Sequence, residues 1–379
     1  MNLTQELLQD IATPFNTSID FNDSSVLNYK PYSERPETYI VPVVFLFIFI
    51  SGVFGNISVI YIVIEEKLIQ SPSYLYILNL SFGDLIVILG TVPFVCTIYT
   101  FESWPYGKFV CKASEFISDV SIAVSVFTLS TMSFDRYKAA FSTVVRTAYQ
   151  RKSFNILRSP TGLSIVFIWM LAIVFAIPAA YNSFLYEINV GANKSIVVCY
   201  PFPPEYGDWY PKTIVLSKFM LFYIIPLIII ACCYISIALH LINKSKHAST
   251  GNAQFQRSSQ RNFSRAKIVL SFVFIFMICF FPNHMFMIWF YFHPNSHQLY
   301  NDFWHTWRIV AFVLSFLNSC LNPITLYVTS DHFKHLCNVH IFHPLCKTRI
   351  TRNETENSNI ELSTQQIVHN VSAVNVTVI

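Results

Sequence analysis

Charged residues are scarce in this sequence: only 12% of its 379 residues are Asp, Glu, Lys or Arg, whereas 53% are apolar. Ordinary soluble domains carry about 25% charged residues, so the composition excludes a soluble globular protein. The basic residues flank apolar stretches and form no patch interleaved with aromatic side chains, which argues against nucleic-acid binding. We therefore attribute the formal net charge of +4 to membrane topology.

Three other patterns are missing from the sequence. Residues 1–38 hold no apolar run of the signal-peptide kind, so we expect them to remain as a polar tail. No span carries a metal-ligand cluster, or a nucleophile and base at a workable spacing, so we predict that the chain is not an enzyme and requires no cofactor. An ion-coupled secondary transporter that uses Asp84 and Asp119 is an alternative function for a membrane protein. The two halves of the sequence show no similarity to each other, which disfavours it because transporters commonly contain internal repeats.

Long apolar stretches are abundant. Windows of about 20 apolar residues, long enough to cross a bilayer, recur seven times. The sequence therefore predicts an all-α fold, a seven-transmembrane helix bundle in the lipid bilayer. The windows lie near Tyr39–Ile64, Tyr74–Thr100, Cys111–Phe134, Leu163–Asn182, Val215–Ile242, Ile268–Phe292 and Ile309–Ser330.

Lys and Arg cluster in two loops, after the third span and before the sixth, and this bias places both loops in the cytoplasm. We predict a multi-pass cell-membrane protein with an extracellular N-terminus and a cytoplasmic C-terminus. Residues 1–38 would be an extracellular glycosylated tail, 39–343 the bundle with a membrane-surface helix, and 344–379 a disordered cytoplasmic tail. The basic residues are Lys138, Arg146, Arg151, Lys152 and Arg158, then Lys244, Lys246, Arg257, Arg261, Arg265 and Lys267.

Two covalent features follow from this topology. Of the nine cysteines, only Cys111 and Cys199 clearly fall on the oxidising side, so we predict a disulfide between them. Glycosylation is predicted where an acceptor triplet lies on the outer side of the membrane. The acceptors are Asn2, Asn16, Asn22 and Asn193.

The segment after the seventh span has the pattern of a short amphipathic eighth helix at the inner membrane surface. Palmitoylation of Cys337 or Cys346 would hold it there, and a free thiol is the alternative. In the tail that follows, phosphorylated Ser and Thr residues would attract arrestin. The terminal Thr377-Val378-Ile379 fits the peptide ligand of a PDZ domain.

Asp84 falls in the middle of the second span, where an unpaired carboxylate would be strongly destabilising, so it must have partners. Polar groups in the third and seventh spans would suit a small hydrated cation such as sodium. A purely structural hydrogen-bond network is the other interpretation. The candidate partners are Ser125, Asn318, Ser319 and Asn322.

Titratable side chains gather toward the outer ends of four spans. Glu115 and Asp119 lie one helical turn apart in the third span, with Ser118 beside them. We predict a pocket there for a peptide with aromatic and charged groups. Asp119 and Lys218 either contact this ligand or pair with each other. Other predicted members are His284, Arg308 and the surrounding Trp289, Phe290, Tyr291, Trp304 and Trp307.

The end of the third span, LSTMSFDRYKA, closely resembles the corresponding segment of rhodopsin-like G-protein-coupled receptors. The resemblance extends from about Tyr39 to Cys346 and includes a motif residue in every span. It implies that an extracellular ligand is coupled to heterotrimeric G proteins. The matching residues are Gly55, Asn56, Asp84, Cys111, Asp135, Arg136, Tyr137, Trp169, Pro226, Tyr234, Pro282, Asn322 and Pro323.

Within that family, the segments VSVFTLSTMSFDRYKA, CFFPNH and NSCLNPITLY look most like bombesin-type peptide receptors and their invertebrate relatives, the CCHamide receptors. This resemblance implies a neuropeptide receptor that signals through Gq and calcium. Endothelin receptors are similar too and give an alternative ligand class. Bombesin-type receptors carry an Arg at the position of Phe312, a further candidate ligand contact, so their full ligand chemistry is not expected to transfer.

The family resemblance also assigns residues to coupling and activation. The sequence departs from the family pattern at two positions. Phe280 stands where most relatives have Trp. Asn262 provides no acid to pair with Arg136, so we expect an intrahelical Asp135–Arg136 pair to hold the resting state. The resemblance also favours a sodium ion beside Asp84. Coupling to the G protein is assigned to Asp135, Arg136, Tyr137, Tyr234, Leu326 and Tyr327. The activation switch is assigned to Val126, Pro226, Phe276, Phe280, Pro282, Asn322 and Pro323.

Overall fold

The structure is a computed structural model, which describes residues 34–101, 103–141, 159–191, 194–247 and 253–342. Several predictions lie outside these ranges: the four glycosylation acceptors, Cys346, and the phosphorylation and PDZ-binding segments of the tail.

Seven helices in the described ranges are long and apolar enough to cross a membrane, which confirms the predicted seven-span bundle. Six of them are α1 (Glu37–Glu65), α2 (Pro72–Gly90), α3 (Gly107–Phe141), α4 (Pro160–Asn182), α6 (Ala253–Phe292) and α7 (Asp302–Thr329). The remaining one, α5, consists of Trp209–Phe219, a π-helical turn at Met220–Ile224, and Ile225–His247. Short helical pieces lie at Leu68–Gln70, Val92–Val95, Cys96–Tyr99, Pro204–Tyr206 and Ser296–Leu299.

Helix α3 is the centre of the bundle. In its most apolar window 61% of the residues are buried, whereas the other six spans have 22% to 44% buried. It packs against α2, α4, α5 and α6, and α7 and α1 complete the ring of neighbours. One helix therefore contacts most of the bundle and runs from the outer end to the inner end.

The outside of the bundle is apolar because its solvent is lipid. Phe47 of α1 is 65% exposed and Phe167 of α4 is 63% exposed, as expected for side chains that face acyl chains. Inside, small residues allow close helix approach. A Cβ on Gly52 would lie 2.5 Å from Ile88 Cδ1 and 3.4 Å from Cys320 Cβ, so a larger residue there would displace the end of the Ile88 side chain where α1 meets α2 and α7.

An antiparallel β-hairpin follows α4, and the prediction of helices alone missed it. Strand β1 (Phe184–Gly191) pairs with β2 (Lys194–Tyr200), with Leu185 opposite Cys199. The strands are rich in aromatic and β-branched residues, which favour extended structure. The hairpin therefore forms outside the apolar windows on which the sequence prediction rested.

The described residues 330–342 belong to a second unit of the chain. It begins with α8 (Asp331–Cys337), followed by a π-helical turn at Asn338–Phe342. Ser330 caps α8 by accepting a hydrogen bond from the Phe333 N–H at 3.3 Å. Phe333, Leu336 and Cys337 are buried, and burial raises the pKa of the Cys337 thiol to about 11. Palmitoylation stays a prediction, because acylation would require this thiol to be uncovered.

Candidate ligand pocket and coupling face

The best-defined polar contact on the outer side joins α3 to α5. The Lys218 ammonium lies 2.8 Å from each carboxylate oxygen of Asp119 and donates a hydrogen bond to Oδ1. The Asp119 side chain is 7% exposed and the Lys218 side chain 33% exposed, so the pair is largely removed from water. Of the two interpretations of the sequence, the structure shows the mutual pair. Each ion stabilises the other, because a buried charge without its partner is strongly unfavourable.

Glu115 provides a second carboxylate beside this pair. It lies one turn outward from Asp119 on α3, is partly buried, and interacts electrostatically with Lys218. Ser118, between the two acids, is also partly buried. Two carboxylates therefore face one ammonium, which makes this part of the pocket attractive to a cationic or hydrogen-donating group of a ligand.

His284 of α6 lies at the aromatic side of the pocket. It is 9% exposed, and its ring centroid is 5.5 Å from that of Phe219 and 5.0 Å from that of Tyr223. Its Nε2 atom is buried without a hydrogen-bond partner. Buried polar atoms normally have partners, so a ligand group that reaches Nε2 would satisfy it.

Arg308 lies near the outer end of α7 and is partly buried. Its charge acts on His305 and on the hydroxyls of Tyr291 and Tyr300. Burial raises the pKa of Tyr300, and the positive charge of Arg308 opposes that rise. Arg308 therefore provides a cation among hydroxyl and imidazole groups at the rim of the bundle.

Most of the aromatic residues expected around these charges instead pack between α6 and α7. Trp289 and Trp304 stack with ring centroids 3.7 Å apart and an interplanar angle of 9°. Phe290 belongs to a buried cluster in the same place. The Trp307 indole N–H donates a hydrogen bond to the Pro282 carbonyl at 3.1 Å. These contacts join the outer ends of two helices, so the pocket holds fewer aromatic rings than the sequence suggested.

Tyr291 and Phe312 lie in different surroundings from that cluster. The Tyr291 hydroxyl is 3.5 Å from the Tyr200 hydroxyl, which connects α6 to the hairpin. The Phe312 ring lies 5.8 Å from Phe45 and 6.1 Å from Tyr99 by centroid distance, within an apolar cluster of α1, α2 and α7. Its contribution to ligand binding stays a prediction.

The predicted disulfide between Cys111 and Cys199 is confirmed, with the two Cα atoms 5.5 Å apart. It ties β2 to the outer end of α3. Two hydrogen bonds of 2.7 Å hold the same strand at Val197, whose carbonyl accepts from the Trp104 N–H and whose own N–H donates to Ser103 Oγ. The hairpin is therefore fixed to the bundle by covalent and hydrogen bonds.

A cavity of about 250 Å³, which the sequence did not reveal, lies between α4, α5 and the segment after β2. Of its lining residues, only Lys218 had been named as a candidate. Phe202, which is 6% exposed, and Tyr210 line it as well. The sequence could have indicated that Phe202 lies at this cavity, because Phe202 follows Cys199 by three residues and the disulfide brings this segment to the bundle.

A buried polar network surrounds Asp84, as the sequence required. Asn322 Nδ2 donates to Asp84 Oδ2 at 2.8 Å, and the Ser319 side chain interacts with the same carboxylate. Asp84 Oδ1 and Asn318 Oδ1 are buried without a hydrogen-bond donor, and Ser125 is 3% exposed. Unsatisfied anionic and amide oxygens suit a hard cation, so the residues present fit sodium.

A second polar network, which the sequence did not reveal, joins α2, α3 and α4. Trp169 Nε1 donates to Asn79 Oδ1 at 2.8 Å, and Asn79 Nδ2 donates to Thr128 Oγ1 at 2.8 Å. The sequence could have indicated this network, because its polar residues lie within apolar spans. This network fixes the position of α3 between its neighbours.

The residues assigned to coupling lie at the inner ends of α3, α5 and α7. Tyr76 donates a hydrogen bond to Asp135 Oδ2 at 2.9 Å, and Lys138 Nζ lies 3.2 Å from Asp135 Oδ1. Arg136 interacts electrostatically with Tyr234 of α5. Tyr137 stacks 6.1 Å from Phe134 by ring centroid. In α7, Leu326 is 1% exposed and Tyr327 is partly buried.

The residues assigned to the switch lie in the interior of the bundle. Val126 and Phe276 are 0% and 1% exposed, and the Phe280 ring lies 4.7 Å from that of Phe276. Pro226 follows the π-helical turn of α5, while Pro282 and Pro323 lie inside α6 and α7. A proline removes a backbone hydrogen bond, so each of these helices has a point of weakened bonding near packed side chains.

This arrangement defines a class of protein: a membrane-spanning helical bundle with an outer polar pocket and an inner charged face connected by one central helix. No group of three or more His, Cys, Asp or Glu residues suited to a metal occurs in the part of the chain that the structure describes. The sequence model for the 7 transmembrane receptor (rhodopsin family) matches residues 55–327. The chain therefore belongs to the rhodopsin family of seven-transmembrane receptors, is a multi-pass cell-membrane protein and is not an enzyme.

Two receptors are similar to this chain over most of its length. A neuropeptide CCHamide-1 receptor of Drosophila melanogaster is 44% identical over 317 residues, which are 83% of this chain and 62% of the fly receptor. A bombesin receptor of Bombina orientalis is 32% identical over 333 residues, covering 86% of this chain and 83% of the frog receptor. The chain thus spans less than two thirds of the length of the fly receptor. Both relatives belong to the branch that the sequence motifs had indicated.

Proposed function

We propose that this chain is a cell-surface receptor for an extracellular neuropeptide of the CCHamide or bombesin kind, and that it couples peptide binding to heterotrimeric G proteins of the Gq class. The buried Asp119–Lys218 pair carries this proposal, because it places opposite charges in an outer pocket beside α3, the helix that carries Arg136 near its inner end. At about 1.5 Å per residue, Arg136 lies about 25 Å further along α3 than Asp119.

The chemistry of the pocket supports a peptide ligand. Glu115, Asp119 and Lys218 supply charges of both signs, His284 offers an unsatisfied ring nitrogen, and Arg308 supplies a cation at the rim. A peptide carries amides, charges and apolar side chains together, so it can satisfy this mixture. The fly relative is a neuropeptide CCHamide-1 receptor and the frog relative is a bombesin receptor, which supports the same ligand class.

Transmission requires only differential binding, without a chemical step. A peptide that binds one helix arrangement more tightly than another shifts the population toward the favoured arrangement. The favoured arrangement would open an inner cleft around Arg136, Tyr234 and Leu326 for the G protein. Pro226 and Pro282 provide points at which α5 and α6 can bend.

A calcium measurement tests the proposal. Cells expressing the chain would be challenged with bombesin-like, CCHamide-like and endothelin-like peptides, and we expect a potent rise in intracellular calcium with a peptide of the first two groups. Arg136→Ala should abolish the response while the same peptide still binds, because the substitution lies at the opposite end of α3 from the pocket.

Silence to every peptide, despite surface expression, would overturn the ligand assignment. A response to the endothelin-like peptides alone would transfer it to that class. A rise in cyclic AMP without calcium would overturn the Gq assignment and leave the receptor function in place.

The Asp84 network is also proposed to bind sodium. Asp84, Ser125, Asn318, Ser319 and Asn322 would hold the ion, which would supply positive charge to buried oxygens and so stabilise one packing of α2, α3 and α7. An ion that favours this packing opposes a peptide that favours another, so the two effects are coupled reciprocally.

Sodium should therefore lower peptide affinity. We expect replacement of choline by sodium at constant ionic strength to weaken binding at least about fivefold, the low end of typical allosteric coupling. Asp84→Asn should remove this sensitivity, since it removes the charge that holds the ion. Equal peptide affinity in sodium and choline for the unaltered chain would contradict the ion site and leave a hydrogen-bond network only.

The remaining partners are proposed from sequence alone. The proposed orientation in the membrane fits glycans on the outer side, at Asn2, Asn16, Asn22 and Asn193. On the inner side it fits a palmitoyl group at Cys337 or Cys346, arrestin at a phosphorylated tail, and a PDZ domain at Thr377-Val378-Ile379.

A further inference from the structure

Tyr76 makes an unusual contact for a fully buried residue near the inner end of α2. Its side chain is 0% exposed, and its hydroxyl donates a hydrogen bond of 2.9 Å to Asp135 Oδ2 on α3. Asp135 is adjacent to Arg136, the residue assigned to G-protein coupling. Hydrogen bonds to an ionised acceptor are stronger than those between neutral groups.

The same hydroxyl also interacts with a third helix. Thr161 and Ser164, in the first turns of α4, interact with the Tyr76 side chain. One buried phenol therefore connects α2, α3 and α4 at the point where the coupling motif begins. The other Asp135 oxygen lies 3.2 Å from Lys138 Nζ, on the next turn of its own helix.

The inner end of the bundle is closed in this arrangement. Met132 of α3 is 2% exposed, Val269 of α6 is 2% exposed and Leu326 of α7 is 1% exposed. A G protein that reaches Arg136 from the cytoplasm would have to uncover these side chains. Contacts that hold the present arrangement therefore oppose ligand-free coupling.

We propose that Tyr76 is a positioning residue that holds Asp135, and through it the inner end of α3, in the closed arrangement, and so keeps signalling low in the absence of peptide. This inference rests on the proposed coupling to G proteins. From the sequence, we expected the Asp135–Arg136 pair alone to hold the resting state. The inference adds the hydrogen bond from Tyr76 on α2 to Asp135 on α3 as a second contact that holds it. Asp135 is held by α2 as well as by its own helix.

The test is ligand-free guanine-nucleotide exchange in membranes that contain the full chain and one Gα class at a time. Tyr76→Phe removes one oxygen atom and keeps the buried ring, so we expect surface expression to be retained. A hydrogen bond to a charged group, lost only from the closed arrangement, shifts the ratio of open to closed receptor about tenfold. Basal exchange should rise accordingly while the maximal peptide-driven rate stays the same.

Two comparisons distinguish this effect from general loosening. Tyr181→Phe makes the same chemical change at a tyrosine of α4 that is 73% exposed, and it should leave basal exchange unaltered. In an Asp135→Ala background, Tyr76→Phe should add little, because residues that act through one interaction are not additive.

Three results would overturn the proposal. Unchanged basal exchange in Tyr76→Phe at matched surface expression would show that the hydrogen bond is no restraint. An equal rise with and without Asp135 would show that Tyr76 acts through α4 instead. If peptide drove no exchange on any Gα class in the unaltered receptor, the proposed coupling itself would fail, and this inference with it.

Discussion

Lys218→Met is expected to destabilise the receptor severely. It would leave the Asp119 carboxylate, only 7% exposed, without the ammonium that lies 2.8 Å away. Removing one member of a buried ion pair typically costs about 3 to 5 kcal/mol, a large part of the stability of a folded domain. We expect surface expression to fall sharply, and the purified protein to unfold at a lower temperature in a thermal-shift measurement.

The chain offers a matched control for this substitution. Lys212 lies on the same helical segment of α5 but is exposed, so Lys212→Met should leave expression and thermal stability nearly unaltered. The double variant Asp119→Asn with Lys218→Met removes both charges and should recover much of the loss. Wild-type stability in Lys218→Met alone would mean that the pair contributes little to folding.

Exchanging the two charges separates folding from ligand recognition. Asp119→Lys with Lys218→Asp keeps an ion pair in the same place and should restore surface expression. If a peptide uses one of these charges, its affinity should still fall by about 2 to 5 kcal/mol, because its own group then meets the wrong sign. Recovered expression with unchanged potency would identify the pair as scaffold only.

Cys111→Ser or Cys199→Ser is expected to abolish high-affinity peptide binding. The disulfide closes a loop between residues 88 positions apart and holds the hairpin against α3. A loop of roughly this length corresponds to about 4.6 kcal/mol in the chain-entropy account of disulfide stabilisation. Labelled-peptide binding to intact cells would measure the loss, with surface receptor counted by an antibody to an N-terminal tag.

The double variant Cys111→Ser with Cys199→Ser should resemble either single variant, because each already breaks the same bond. Cys96, a free and partly buried cysteine near the outer end of α2, provides the comparison, and Cys96→Ser should bind peptide normally. Normal peptide affinity in the double variant would show that the hydrogen bonds at Val197 suffice to hold the hairpin.

The sequence predicted the features that depend on composition and topology. Seven spans follow from the length of apolar windows, since a bilayer sets that length for every helix. The disulfide between Cys111 and Cys199 follows from which side of the membrane each cysteine occupies. The need of Asp84 for polar partners follows from its position in the middle of a span.

Features that depend on which helices are neighbours could not be predicted from the sequence. Asp119 and Lys218 are distant in the chain, and only the packing of α3 against α5 showed that they pair. The contact from Tyr76 to Asp135 was missed for the same reason. The aromatic residues of α6 and α7 were expected around the charges, because the sequence does not show that Trp289 and Trp304 stack on each other.

The packing between the outer ends of α6 and α7 determines how α6 can move. The stacked Trp289 and Trp304 and the Trp307 bond to the Pro282 carbonyl fasten α6 from Trp289 to its proline, and the part of α6 on the cytoplasmic side of Pro282 lacks these contacts. A helix fastened in this way cannot slide along its axis without breaking several contacts at once. Since Pro282 removes a backbone hydrogen bond within α6, we expect any bend of this helix to occur there, so that its cytoplasmic part moves while its outer part stays fastened.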